Sequence, residues 1–201
     1  GHSELTHRHE GKTAAPAHDE RAPIELSDTE VSDLVSFLGT LGAESPKACT
    51  DGSAADCRDH RPLGHTELPQ PDGGTTTVFY PTAAAEAPVR QGPFQLSWAD
   101  DGEPRRGNGR LVVISHGSGG SPWVHVDLAR ALVERGFTVA IPQHAGDNYQ
   151  DPSAPGPASW VRRPDEVSQA IDRVASHGTL SPLLNLDAVG VFGGSAGGHT
   201  A

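Results

Sequence analysis

The residues best suited to chemistry stand near the end of the chain. Gly193-Gly194-Ser195-Ala196-Gly197 has the pattern G-x-S-x-G and follows a charge-free run at 188–192. A serine at the tip of a sharp strand-to-helix turn carries strained backbone dihedrals, and small neighbours let the chain pass so closely. Such a turn lifts the hydroxyl above the sheet. It also aims the Ala196 N–H at the oxygen that becomes negative when Ser195 attacks a carbonyl. The chemistry would be nucleophilic acyl transfer. The plain alternative is a glycine-rich turn, because this pattern also arises by chance. The strand-like run directly before it favours the nucleophile.

Acyl transfer needs a nucleophile, a base, an acid that orients the base, and an oxyanion hole. Two of the four can be read here. Residues 116–120 (HGSGG) suit the second half of an oxyanion hole: the glycines allow close backbone approach, and the Ser118 N–H is the expected inward donor. The base is not evident. His116 sits under its own loop, where a histidine more often orders the turn than takes a proton. His199, four residues past Ser195, is expected to point away from the hydroxyl. His144 lies in a loop after a strand, where α/β proteins bind ligands, and either substrate contact or loop ordering suits it. His125 and His177 read as ordinary helix positions.

The elements that must position these groups alternate regularly from Arg110 onward. Residues 111–115 (LVVIS) read as a buried strand and 123–135 as a helix with Val124, Leu128, Ala131 and Leu132 near one face and Gly136 as its stop. Residues 137–141 read as a strand ended by Pro142, and 143–160 as a long polar loop. Residues 164–177 read as a helix with Pro164 in its first turn, Asp165 and Glu166 at the positive end of the dipole, and Val167, Ile171 and Val174 inward. Residues 188–192 read as a strand buried on both faces. This order predicts an α/β fold with a parallel sheet and right-handed crossovers. Upstream, 75–80 and 94–98 read as strands, 100–109 as an exposed turn and 43–74 as a linker with turns. Residues 27–41 form an amphipathic helix pattern with a Ser27/Glu30 capping box, and 1–22 read as a polar tail in which His2, His7 and His9 are solvated. The domain division expected is 1–65 as tail and linker and 66–201 as part of an α/β domain.

The 201 residues carry a formal net charge of −11, which disfavours nucleic acid or an anionic membrane as partner. No apolar run is long enough to span a membrane, and no signal peptide is visible. The chain contains no methionine and begins with glycine, so it is read as a processed or excised piece. Cys49 and Cys57 flank a short polar segment, and a local disulfide and two free thiols are both open. No metal-binding or haem-attachment spacing is present, and no cofactor is expected.

Four ordered blocks carry a resemblance to a known family: LVVISHGSGGSPW, ARALVERGFTVAIPQHAGDN, WVRRPDEVSQAIDRV and DAVGVFGGSAGGHTA, with TVFYPT before them. Residues 66–201 resemble the dienelactone hydrolase-like serine esterases related to platelet-activating-factor acetylhydrolase and bacterial polyester hydrolases. The resemblance implies the α/β-hydrolase fold and ester hydrolysis through an acyl-enzyme. It implies Ser195 as nucleophile, Ser118 and Ala196 as oxyanion donors, Gly193 and Gly197 as elbow glycines, and Trp123 and the 144–148 loop, with His144, near substrate. It implies small or polymeric esters as substrates, and a structural, salt-bridging role for Arg162 and Arg163. The family's frequent export leans towards a secreted or periplasmic setting. Residues 22–42 also weakly resemble the C-terminal helix of dihaem cytochrome peroxidases, without any haem-binding motif.

The chain departs from the family after Ser195. In that fold the acid and then the histidine follow the nucleophile, and here only six residues do. The expectation is an N-terminal fragment, inactive alone, whose last strand has an open edge and an uncovered apolar face. A non-catalytic binding module that uses the same crevice is the alternative. Hormone-sensitive-lipase-like esterases share a GGSAGG-like elbow, but HGSGG and RRPDEVS fit them less well.

Overall fold

The computed structural model describes residues 61–201 except Asp72 and Ala188. The readings at 1–22, 27–41 and the two cysteines lie outside the described residues. Seven strands form one sheet in the order β3-β4-β1-β2-β6-β5-β7. They are β1 (Leu63–Pro69), β2 (Thr75–Pro81), β3 (Ala87–Gln91), β4 (Phe94–Asp100), β5 (Leu111–Ser115), β6 (Thr138–Pro142) and β7 (Val189–Gly193). The helices are α1 (Val126–Glu134), α2 (Pro157–Trp160), α3 (Arg163–Ser176) and α4 (Ala196–Thr200). The fold is α/β, as expected.

The sheet is mixed rather than parallel throughout. β6, β5 and β7 run parallel, whereas β2 pairs antiparallel with both β6 and β1. β1 falls within the stretch read as linker. Its sequence, LGHTELP, has too few apolar residues to announce a strand, and its pairing with β2 from Leu63↔Pro81 to Pro69↔Thr75 makes it one. β3 was likewise not anticipated. It is an edge strand held by a tight hairpin at Gly92, whose φ is +56°.

Strand residues alternate between two cores. Phe79, Ile114, Val139 and Ile141 pack with Trp98, Trp123 and α1 on one face. Val78, Tyr80, Val113 and Ala140 pack with Val167 and Val174 of α3 on the other. α1 buries Val126, Ala129 and Val133 and packs the expected Leu128 and Leu132, half-buried, against the same core, whereas Val124 is exposed. Residues 122–125 form a 3-10 turn, whose three-residue period places Trp123 and Val126 together and shifts the phase of the helix that follows. α3 places Val167 and Val174 inward as expected.

β7 departs from the buried-strand reading. Its one partner among the described residues is β5, and Val191 and Phe192 are 43% and 48% exposed. Among the described residues β7 therefore has an open edge and a half-exposed apolar surface.

Candidate active site

The chain passes from β5 through α1 to β6 on one side, and from β6 through α3 to β7 on the other. The connections leaving β5 and leaving β7 thus both start at the carboxyl ends of two adjacent parallel strands, where Ser115 pairs with Gly193. In open α/β sheets ligands bind in the crevice outside such ends. Ser195 and the 116–120 loop stand there.

Ser195 has φ 56° and ψ −125°, a conformation costly for a residue with a side chain. It caps the five-residue α4, and its side chain is exposed. The flanking glycines explain how the backbone holds this turn. A Cβ on Gly193 would lie 2.0 Å from the Gly197 carbonyl oxygen, and one on Gly197 would lie 1.9 Å from the Ser115 carbonyl oxygen. Gly194 has open space around it. The first and last glycines of G-x-S-x-G are therefore required by close approach.

The 116–120 loop lies against Ser195: the Cβ direction of Gly117 points to Ser195 Cβ at 3.5 Å and Oγ at 4.0 Å. The N–H groups of Ser118 and Ala196 donate to no protein group among the described residues. Two unbonded N–H groups near a strained serine are what a developing oxyanion needs.

Behind this loop lies a buried polar network. His144 Nδ1–H donates to Glu166 Oε2 at 2.5 Å, and the Ser115 hydroxyl donates to His144 Nε2 at 2.7 Å. This serine–histidine–carboxylate chain resembles a triad in its connectivity, but all three residues are buried and no substrate reaches Ser115. His144 therefore orders the loop and does not face the crevice. The His144 backbone N–H donates to His116 Nε2 at 3.2 Å, and His116 Nδ1–H donates to the Gly117 carbonyl at 2.7 Å. Both nitrogens of His116 are engaged away from Ser195, so it orders its turn rather than acting as base. Burial pushes the His116 pKa down to about 4 and also lowers that of His144. Both rings are neutral at pH 7.

Asp147 and Arg163 form a second buried pair at 2.8 Å, joined to the same loop. Burial pushes the Asp147 carboxyl up, but hydrogen bonds from Ser118, Gly119 and Arg163 outweigh it and hold the pKa below the usual carboxylate range. By sequence Asp147 falls within the loop expected near substrate but has no role of its own; its place in the polar loop after β6 is its only signal. Arg162 donates to the Ala145 carbonyl at 2.9 Å, so among the described residues Arg163 alone of the two arginines makes a salt bridge.

Trp123 packs into the core. It is 7% exposed and stacks on Trp98 in the α1-side core, with ring centroids 5.7 Å apart. This packing follows from the 3-10 turn at 122–125. His199 lies 5.4 Å from the Trp160 ring. No described residue hydrogen-bonds to Ser195 Oγ, and no group of three His, Cys, Asp or Glu residues among those described could hold a metal.

No known protein family matches the chain, and no curated protein does. Among solved structures, the fold is similar to that of a ferulic acid esterase from Streptomyces cinnamoneus, at TM-score 0.56 and 20% identity. The match covers 72% of this chain and 55% of the esterase, so the chain spans little more than half of that protein's length. A hypothetical protein from Pseudomonas aeruginosa aligns at TM-score 0.38 and 16% identity, over 74% of this chain and 38% of that one, too distant to bear on the argument.

Proposed function

We propose that this chain carries the nucleophile and the oxyanion hole of a serine carboxylic-ester hydrolase with the α/β-hydrolase fold. The observation that carries the reading is Ser195, held at φ 56° on a strand-to-helix turn beside a glycine-rich loop with unbonded N–H groups. The fold's likeness to an esterase supports it. Ser195 Oγ attacks the ester carbonyl, and the Ser118 and Ala196 N–H groups stabilise the negative oxygen. The alcohol leaves, and water then hydrolyses the acyl-enzyme. Small or polymeric esters are the proposed substrates.

The histidine base and its acid lie outside the described residues in this reading. Without a base Ser195 stays a neutral alcohol, and loss of a triad member costs several orders of magnitude in rate. The 201-residue chain alone is thus expected to label very slowly with a fluorophosphonate probe, and the protein from the full reading frame to label at Ser195. A Ser195→Ala variant should abolish that labelling. Full-length protein that neither labels nor hydrolyses p-nitrophenyl esters would overturn the hydrolase. It would favour a non-catalytic module that binds ligand in the same crevice, which the lack of a base among the described residues also suits.

A further inference from the structure

The candidate oxyanion loop has glycine at 117, 119 and 120, so few side chains can order it from within. It is gripped from outside. Arg163, wholly buried at the first turn of α3, donates Nη1–H to the His116 carbonyl at 2.6 Å and Nη2–H to Asp147 Oδ2 at 2.8 Å. Its Nε–H donates to Ser159 Oγ at 3.1 Å. Asp147 uses its other oxygen to accept from Ser118 Oγ at 2.5 Å and from the Gly119 N–H at 3.0 Å. The loop is therefore held at residue 116 and again at 118 and 119. Between the two grips lie Gly117, against Ser195, and the unbonded N–H of Ser118.

A buried ion pair is weak evidence for stability, because desolvation offsets much of its attraction. What this pair supplies is fixed geometry. The guanidinium fork is rigid, and every polar atom of Asp147 and Arg163 used here points at the loop, at the partner or at Ser159. An oxyanion donor works only if it is in place before the charge develops.

We propose that Asp147 and Arg163 are positioning residues that hold the Ser118 N–H in its oxyanion-binding place. The proposal rests on the esterase reading above for its catalytic consequence, but the grip on the loop can be measured without it.

The test compares wild type, Ser118→Ala, Asp147→Asn and Arg163→Lys in the protein from the full reading frame. Ser118→Ala removes one hydroxyl bond and keeps the backbone N–H, so it remains informative if Asp147→Asn fails to fold. Hydrogen exchange across 116–120 should quicken roughly tenfold or more in Ser118→Ala and Asp147→Asn, with β5 and α3 unchanged. In p-nitrophenyl ester hydrolysis, kcat should fall about 10- to 100-fold at unchanged KM, short of or equal to the loss of one full donor. Arg163→Lys, which keeps charge without the fork, should fall in between. Unchanged exchange in 116–120, or a raised KM at constant kcat, overturns the positioning role. A wild type without Ser195-dependent hydrolysis sinks the esterase reading instead, and the exchange measurement still decides whether the pair holds the loop.

Discussion

At the scale of single residues, the pattern around Ser195 divides into positions that geometry demands and one that it does not. Gly193 and Gly197 each meet backbone oxygen at about 2 Å where a methyl would stand, while Gly194 meets nothing. Gly197→Ala should cost about 3 kcal/mol or more, since backbone must move to admit the methyl. Gly194→Ala should stay within about 0.5 kcal/mol, as for an unencumbered surface site. Urea unfolding of the two variants checks this, and equal losses would contradict the packing described. These two glycines and the serine were readable because G-x-S-x-G is a contiguous pattern, although the backbone that Gly197 meets, at Ser115, is brought there only by the fold. The Asp147–Arg163 and His144–Glu166 pairs were not readable, since they join residues 16 and 22 positions apart that only the folded sheet brings together.

At the scale of elements, legibility followed hydrophobic runs. β5, β6 and α3 are bounded apolar or amphipathic segments and were found where expected. β1 is polar and was hidden, because its pairing with β2 makes it a strand. The 3-10 turn at 122–125 was hidden for a related reason, as it cannot be told from the first turn of a helix by apolar spacing alone. β7 presents the opposite case, with apolar residues that the described residues leave half exposed. An exposed apolar edge recruits other chains. In the 201-residue chain, Val191→Lys and Phe192→Lys should each raise the concentration at which aggregates form, with stability changed by no more than about 0.5 kcal/mol. Light scattering against concentration, paired with urea unfolding, measures both. Lysine variants that aggregate as wild type does would show that β7 is not the sticky edge.

At the scale of the whole molecule, the two neutral histidines behind the site couple the fold to acid. Each has its pKa lowered by burial, so the unfolded chain binds protons that the folded one refuses. Stability is therefore complete above the ordinary histidine pKa of about 6.5 and falls as pH drops towards about 4, the value for folded His116. His116 alone accounts for roughly 3 kcal/mol of that loss by the usual conversion of pKa difference to free energy. Urea midpoints between pH 7 and pH 4 should decline across this window, and a His116→Gln variant should flatten the decline. A midpoint that holds level down to pH 4 would count against a neutral, buried His116.

The tethering of those imidazoles has a spectroscopic consequence. His116 and His144 each present Nδ1–H to an oxygen and Nε2 to a donor, deep in the protein, so their ring protons are shielded from exchange with solvent. Two such protons should resonate far downfield in a proton NMR spectrum in water, where few other signals fall. They would serve as built-in reporters of the crevice floor, vanishing together when the loop above them opens.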